Sequence, residues 1–380
     1  MIPYGKQSLD EEDINEVVKV LKSDFLTTGP KIDEFEKKFA DYAGSKYAVA
    51  VSSGTAALHL ACLAAELKEE DEIITTPITF AASSNCALYC GAKPVFVDIN
   101  EQGLIDENRI KEKITDKTKI IIPVHYSGLP CNMEKIKDMA DKHKLIIIED
   151  GCHSLGAKYK NSKIGSCKYS DMCVFSFHPV KHITTGEGGM ITTNSKKLYD
   201  KLKILRTHGI TKDPKEYMNK SDGPWYYEQQ FLGYNYRITD IQSALGISQL
   251  KKLAKFVERR REIARMYDKA FKNNRYFDMP FEKEHAYSSY HLYPIKLKDG
   301  YKNKKKEIFS KMREKGLGVQ VHFIPVYLQP YYRSLGYKKG SCPLAEDFYQ
   351  KEISIPIYPS MTNKEVEYVI ETIFGIFEGI

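Results

Sequence analysis

The chain has 380 residues, of which 42% are hydrophobic and 28% are charged, and its formal net charge is +7. This composition excludes an intrinsically disordered chain, because it supplies enough apolar side chains for a large core, and the length predicts about two domains. No apolar run is long enough to cross a bilayer, and no charged segment followed by an apolar one opens the chain. We therefore expect a soluble, cytoplasmic protein that does not bind a membrane.

The basic residues include two clusters, at residues 258–262 and 302–306. Both lie in segments with apolar residues at helical spacing, which favours solvated helix faces, and no nucleic-acid-binding motif accompanies them. An anionic small-molecule substrate fits the positive charge equally well. The eight cysteines form no CxxC pair and show no zinc-finger spacing, so we predict no metal site.

The first half of the chain alternates between strands and helices. The residues Ser8 to Glu11 have the pattern of a capping box before a helix over residues 14–21, and Pro30 can begin a second helix. Short apolar runs then recur, each followed by a segment with helical spacing. These runs lie at residues 47–51, 72–75, 94–97, 120–124 and 145–148. Strands that are apolar on both faces and alternate with helices predict an α/β fold with a mostly parallel sheet.

The alternation stops between Thr211 and Phe231, where a polar and aromatic stretch predicts a long surface loop. Two segments with helical spacing follow, at residues 238–250 and 253–271. Beyond them, predicted strands at residues 291–297 and 317–323 and predicted helices at residues 304–315 and 363–377 complete the chain, and a further helix is predicted in the first half, at residues 107–114. We predict a large domain over residues 1–249 and a smaller α+β domain over residues 250–380.

Lys181 lies in a turn between two apolar runs, residues 172–177 and 190–193. A solvated loop lysine is the ordinary interpretation of any one lysine. The turn, however, ends in Gly186-Glu187-Gly188-Gly189, which permits a close backbone approach. A lysine held in a half-buried turn between strands is typical of an amine with a lowered pKa that forms a Schiff base.

The segments around Lys181 carry a resemblance to a known family. Residues 176–181, Ser-Phe-His-Pro-Val-Lys, and residues 183–189, Ile-Thr-Thr-Gly-Glu-Gly-Gly, resemble the cofactor-lysine segment of the DegT/DnrJ/EryC1/StrS family. These proteins are sugar aminotransferases that use pyridoxal 5'-phosphate (PLP). The likeness spans nearly the whole chain and implies a fold-type I PLP-dependent transferase.

The resemblance assigns roles around the ring of PLP. It implies that Lys181 binds the aldehyde, that Asp150 faces the ring nitrogen, and that Phe80 stacks on the ring. His153, in Asp150-Gly-Cys-His153, matches a family position that contacts the ring or its phenolic oxygen. Without the resemblance, the ordinary interpretation of Asp150 is a cap at a strand end, and that of Phe80 is a core residue.

Three further positions match the family's phosphate ligands. Gly54-Thr55 follows a strand and begins a helix, where backbone N–H groups can receive a phosphate, although a threonine there is also an ordinary N-cap. Ser176 is the second match. Asn235 matches an asparagine that reaches the phosphate from the neighbouring subunit, which implies a homodimer with shared active sites.

The resemblance also implies a substrate pocket. Its expected residues are Tyr4, Phe25, Leu26, Thr27, Arg237 and His322. Each has an ordinary alternative, such as a turn position for Thr27 or a strand histidine for His322. Arg237 suits either a diphosphate or the carboxylate of glutamate, because a guanidinium binds both.

The implied reaction moves the amino group of L-glutamate to a nucleotide-linked keto sugar in two half-reactions that share Lys181. The carboxy-terminal segment favours a subgroup that aminates C4 of a UDP-linked 4-keto-6-deoxy-N-acetyl hexosamine for pseudaminic acid and cell-surface glycans. His182, where that subgroup has proline, and the long aromatic loop depart from its pattern. The alternatives are a UDP-pentose, a dTDP-linked 3-keto or 4-keto hexose, and a non-catalytic PLP-binding regulatory protein.

Overall fold

The computed structural model describes residues 1–380 and is organised around a seven-stranded sheet. In chain order the strands are β1 (Tyr47–Val51), β2 (Glu72–Thr75), β3 (Lys93–Phe96), β4 (Thr118–Ile122), β5 (Ile146–Asp150), β6 (Met172–Ser176) and β7 (Gly189–Thr193). Their order in space is β1-β7-β6-β5-β4-β2-β3. Strand β7 is antiparallel to both neighbours and the remaining pairs are parallel, which confirms the predicted α/β fold with a mostly parallel sheet.

Twelve helices accompany the strands. They are α1 (Glu11–Leu21), α2 (Pro30–Ala43), α3 (Gly54–Ala64), α4 (Ala82–Tyr89), α5 (Met133–His143), α6 (Lys196–Arg206), α7 (Asp240–Phe271), α8 (Asp299–Lys302), α9 (Lys305–Glu314), α10 (Pro330–Ser334), α11 (Pro343–Lys351) and α12 (Asn363–Glu378). Helix α3 is buried on nearly every side because its residues are mostly alanine and leucine. It packs against β6 and β7, so its amino terminus reaches the edge where β6 ends.

A smaller antiparallel sheet lies in the carboxy-terminal part. Its strands are β8 (Phe277–Asp278), β9 (Tyr293–Leu297) and β10 (Glu352–Ile355), with β9 in the centre. These strands share a cluster of 24 buried hydrophobic residues that lies entirely between Ile263 and Phe377. Helix α7 continues through residues 249 and 250, so the boundary placed there stays a prediction.

Several predicted elements differ in the structure. The first helix is capped by Asp10, whose carboxylate accepts from the N–H groups of Glu12 and Asp13, and not by Ser8. The predicted helices at 238–250 and 253–271 are one helix, because no glycine or proline interrupts the apolar spacing between them. The predicted helix at 107–114 is a 3₁₀ turn over Ile110–Lys113, and of the predicted strand at 317–323 only Leu317–Gly318 forms.

The segment between Thr211 and Phe231 is largely the predicted loop, with a two-residue strand at Glu228–Gln229. The buried carboxylate of Glu228 accepts hydrogen bonds from the N–H groups of Met218 and Asn219, both at 2.7 Å. Trp225 and Tyr227 remain exposed on this loop. None of the helices combines the length and the apolar character that crossing a membrane requires.

Candidate active site

A cavity of about 580 Å³ lies where β5 and β6 end, at the edge of the sheet where ligands of open α/β folds bind. Nine of the predicted site residues line it. They are Tyr4, Gly54, Thr55, Phe80, Asp150, His153, Ser176, Lys181 and His322. The cavity therefore joins residues that are as much as 318 positions apart in the sequence, from Tyr4 to His322.

Lys181 enters the cavity from the turn that joins β6 to β7. Its backbone N–H donates to the carbonyl oxygen of His178 at 2.9 Å, which tightens the turn. Burial lowers the pKa of the Lys181 ammonium group, although the charges of Cys152 and Asp150 oppose that shift. Because a lowered pKa enlarges the neutral fraction at any given pH, more of the amine is nucleophilic than in an exposed lysine.

Glycines behind Lys181 allow the turn to pack closely. Gly186 has a φ of +78°, and a side chain at Gly189 would collide with the carbonyl oxygen of Ser53. The close backbone approach predicted for residues 186–189 is therefore present at Gly189. It brings β7 against the turn that precedes α3, and so brings the Lys181 turn to the amino terminus of that helix.

Asp150 is the last residue of β5 and is 4% exposed. Its Oδ2 accepts a hydrogen bond from Ser83 Oγ at 2.6 Å, and its Oδ1 accepts from the backbone N–H of Cys152 at 3.1 Å. Both carboxylate oxygens are thus held in one orientation, which suits a group that must face a ring nitrogen.

The amino terminus of α3 forms one wall of the cavity. Ser53 caps the helix, its Oγ accepting from the N–H of Ala56 at 3.0 Å. Gly54 lies so close to β6 that an added Cβ would be 2.9 Å from the Cβ of Ser176. The small residue, the free N–H groups of the first turn and the Ser176 hydroxyl together make a cradle that suits a phosphate.

We expect Gly54→Ala to weaken PLP binding by ~10-fold or more, because the new Cβ must displace Ser176 from the cradle. Titration of the apoprotein with PLP, followed by its absorption, measures the dissociation constant. Gly300→Ala is the matched control, because nothing lies within 4 Å of an added Cβ there. Equal affinities for the two variants would contradict the cradle.

Histidines from distant parts of the sequence line the cavity together. The rings of His153 and His291 are 4.4 Å apart, and both residues line the cavity. Burial, reinforced by the positive charge of Lys181, lowers the pKa of His153 well below its ordinary value, so the imidazole is neutral. Its Nδ1 is buried without a hydrogen-bond partner in the protein, which leaves one polar group for a ligand.

His322 and Tyr4 lie beside each other at the cavity, with ring centroids 5.2 Å apart. The Nδ1 atom of His322 is 2.9 Å from Ser354 Oγ. Burial and the charge of Lys181 lower the pKa of His322 to about 3, so this ring is also neutral.

Five predicted site residues do not line the cavity of this chain. They are Phe25, Leu26, Thr27, Asn235 and Arg237. Phe25 is 53% exposed and Asn235 is exposed, so both are available to a second chain. His182, next to Lys181, does not line it either, because its Nε2–H donates to the carbonyl oxygen of Ser289 at 3.2 Å.

Other residues of the cavity are not predicted as site residues from the sequence, including Ser83, Glu187 and His291. Ser83 lies in the first turn of α4, where nothing in the sequence distinguishes it from its neighbour Ser84. His291 precedes β9, and the sequence pattern around it predicts only a strand. Its contact with His153 depends on the packing of the two parts of the chain, which no local pattern reports.

The cavity fits PLP on the observations of this structure. It offers a buried amine at Lys181, an oriented carboxylate at Asp150, the cradle beside Gly54, and the unpartnered Nδ1 of His153. Phe80 is 63% exposed on the cavity wall and is not a core residue, so an aromatic face is open to a ring. The volume lies within the range of cavities that enclose small molecules.

Three comparisons place the chain among known proteins. Its sequence is 42% identical to that of the UDP-4-amino-4,6-dideoxy-N-acetyl-beta-L-altrosamine transaminase of Campylobacter jejuni. The alignment covers 100% of this chain and 98% of that relative. Helicobacter pylori PseC, an aminotransferase of pseudaminic acid biosynthesis, superposes with a TM-score of 0.93 at 36% identity, covering 100% of both chains. The PLP form of the putative sugar aminotransferase Spr1654 from Streptococcus pneumoniae superposes with a TM-score of 0.93 at 31% identity, covering 100% of this chain and 99% of that one.

A family model matches residues 7–374, which is nearly the whole chain. The resemblance around Lys181 is thereby confirmed, together with the fold type and the cofactor that it implied. The chain belongs to the DegT/DnrJ/EryC1/StrS aminotransferase family, and it is a PLP-dependent aminotransferase.

Proposed function

We propose that this protein transfers the amino group of L-glutamate to C4 of a UDP-linked 4-keto-6-deoxy-N-acetyl hexosamine, as a step toward pseudaminic acid. The observation that carries the aminotransferase part is the buried Lys181 in one cavity with the oriented carboxylate of Asp150. The relatives from Campylobacter jejuni and Helicobacter pylori, whose names specify such a sugar or its pathway, support the choice of substrate.

PLP bound in this cavity would supply an electron sink for the negative charge that develops on the carbon bearing the amino group. The N–H groups at the start of α3 and the Ser176 hydroxyl would bind its phosphate. Asp150, held by Ser83 and Cys152, would keep the ring nitrogen protonated.

Lys181 supplies the base and the acid. Its Nζ takes the proton from the amino-bearing carbon of glutamate in the first half-reaction and returns a proton to the sugar carbon in the second. The lowered pKa suits both roles, because the amine exchanges protons at a pH nearer to neutrality. The histidines beside it are neutral and do not compete for that proton.

Amination assays with matched nucleotide sugars test the substrate. We expect glutamate-dependent amination of the UDP-linked 4-keto-6-deoxy-N-acetyl hexosamine with kcat/KM at least ~10-fold above that for dTDP-linked 3-keto and 4-keto hexoses or a UDP-linked keto pentose. Conversion of glutamate with amination of one of the other sugars instead would retain the enzyme class and overturn the sugar.

We also propose that the protein acts as a homodimer in which Asn235 completes the partner's site. Asn235, Phe25 and Leu26 are exposed in the single chain and lie outside its cavity, and Trp225 and Leu232 expose further apolar surface on the adjoining loop. A second copy covering this surface would bury these side chains and bring the asparagine to the phosphate.

Mixing two inactive variants tests the shared site. We expect Lys181→Ala and Asn235→Ala to be nearly inactive alone and to regain up to about a quarter of wild-type activity after unfolding and refolding together, because half the dimers then carry one intact site. Light scattering of the mixture gives the oligomeric state. A mixture with no regained activity although mixed dimers form would overturn the assignment of Asn235 to the partner's site.

A further inference from the structure

A chain of hydrogen bonds runs from a fully buried carboxylate to the cavity. Ser354 Oγ is 2.5 Å from Glu352 Oε1 and 2.9 Å from His322 Nδ1. The second carboxylate oxygen, Oε2, accepts a hydrogen bond from the backbone N–H of His322 at 2.8 Å. Glu352 and Ser354 are both 0% exposed, and neither lines the cavity, so they reach it only through His322.

Backbone hydrogen bonds hold Glu352, Ser354 and His322 in position relative to one another. Gln320 and Ser354 exchange two backbone hydrogen bonds, at 2.8 and 3.2 Å, so the segment that carries His322 pairs with β10. The carbonyl oxygen of His322 also accepts from the hydroxyl of Tyr126 at 2.7 Å. His322 Nε2 has no hydrogen-bond partner within the protein, and the ring lies on the cavity wall.

The direction in which the hydrogen bonds from Glu352 through Ser354 to His322 are donated depends on one proton. When Glu352 is ionised, the Ser354 hydroxyl donates to Oε1, so Ser354 Oγ accepts from His322 Nδ1–H and the Nε2 atom carries a bare lone pair. When Glu352 is protonated, Oε2 must still accept from the backbone, so the proton lies on Oε1 and is donated to Ser354. Ser354 then donates to Nδ1, and the His322 proton moves to Nε2.

We propose that Glu352 and Ser354 are positioning residues that determine which nitrogen of His322 carries the proton, and therefore whether His322 donates or accepts a hydrogen bond in the substrate pocket. The donating form suits both substrates of the proposed function, on which this part of the inference rests. The carboxylates of glutamate and the keto oxygen of the sugar are acceptors and have no proton to offer.

The burial of Glu352, together with the groups that face it, sets the pH at which these hydrogen bonds reverse direction. Burial raises the pKa of Glu352 to about 8, against the hydrogen bonds from Ser354 and His322 and the charge of Lys305 on α9. Burial also lowers the pKa of Lys305 to about 8, so this ammonium group loses its charge over the same pH range in which Glu352 gains one. Tyr126 also faces it, with its own pKa raised by burial and by the Glu352 charge, so this phenol stays neutral. Below the pKa of Glu352 the donating form of His322 prevails, and as the pH rises through it the accepting form replaces it.

Histidine ¹⁵N NMR of the protein without substrate tests the tautomer directly. We expect the protonated nitrogen of His322 to change from Nε2 to Nδ1 as the pH rises through about 8. In Glu352→Gln the amide oxygen accepts from the His322 backbone and the NH₂ group donates to Ser354, so we expect Nε2 to stay protonated throughout. His322→Gln identifies the resonance among the ten histidines. The proposal would be overturned if the His322 tautomer of the wild-type protein did not change over this range. It would also be overturned if the tautomer changed in Glu352→Gln as it does in wild type.

Kinetics with each substrate then measure the consequence. We expect KM for glutamate and for the keto sugar to rise ~10-fold in wild type as the pH rises through the Glu352 pKa, and less in Glu352→Gln, because one hydrogen bond is lost. The titration of Lys181 is common to both proteins, so their difference isolates His322. Ser354→Ala should raise KM at low pH with little change in kcat, and Ser354→Thr should restore it.

The two assays separate the two claims. A tautomer change without amination of the keto sugar retains the positioning role and refutes the proposed substrate. If the keto sugar is aminated but KM depends on pH equally in wild type and Glu352→Gln, the hydrogen bonds from Glu352 to His322 have no role in substrate binding.

Discussion

Replacing Lys181 with alanine is expected to lower the rate of amination by ~10³-fold or more, because the variant loses the covalent attachment point of PLP and the base that moves the proton. Steady-state assays with glutamate and the keto sugar measure the loss. Lys181→Arg should not restore activity, because a guanidinium stays protonated at all working pH values and is not a base.

Lys339→Ala is the matched control for this prediction. Lys339 is exposed in the segment that follows α10, away from the cavity, and its replacement should leave the rate unchanged. A thermal unfolding scan of each apoprotein distinguishes loss of chemistry from loss of structure. Amination by Lys181→Ala near the wild-type rate would show that another group performs the proton transfer.

Asp150→Asn is expected to lower kcat by ~10²- to 10³-fold while the protein still binds PLP. Asparagine nearly matches the shape of aspartate and can keep one hydrogen bond each with Ser83 and the N–H of Cys152, but it removes the negative charge. A neutral partner no longer stabilises a protonated ring nitrogen, so the electron sink weakens in the transition state. Single-turnover mixing with glutamate measures the rate of the first half-reaction.

Ser83→Ala separates the charge of Asp150 from its orientation. This variant removes the 2.6 Å hydrogen bond to Oδ2 and leaves the carboxylate in place, so we expect a loss of about 10-fold or less. If Ser83→Ala were as slow as Asp150→Asn, the orientation of the carboxylate and not its charge would be the important contribution. If Asp150→Asn were fully active, the role assigned to Asp150 would be wrong.

The sequence predicted those site residues whose position follows from the order of strands along the chain. Lys181 stands between two apolar runs that had to form adjacent strands, and Asp150 ends another run, so both had to emerge at one edge of a parallel sheet. The glycines at residues 186–189 predicted that the backbone packs closely there, and at Gly189 the backbone does pack against Ser53. The family resemblance added Phe80, His153 and Ser176, and it gave a role to Gly54, which the sequence alone marks as the start of a helix after a strand.

Other features depend on contacts that no local pattern contains. The chain from Glu352 to His322 requires β10 to pair with residue 320, although Glu352 and Ser354 alternate in the sequence like ordinary strand residues. The same holds for Ser83, which meets Asp150 across 67 positions. At the first helix, Ser8 and Asp10 are both suitable N-cap residues by type. In the structure Asp10 is the cap, in a helix α1 that packs against α7.

Borohydride reduction of the PLP-loaded protein, followed by peptide mapping, shows which lysine binds PLP. The reduction makes the bond between PLP and its lysine permanent, so mass spectrometry identifies the residue. We expect the label on the peptide that contains Lys181, and no label after prior conversion with glutamate, which removes PLP from the lysine. A label on a different lysine, or none although PLP is bound, would contradict the assignment of Lys181 and the mechanism built on it.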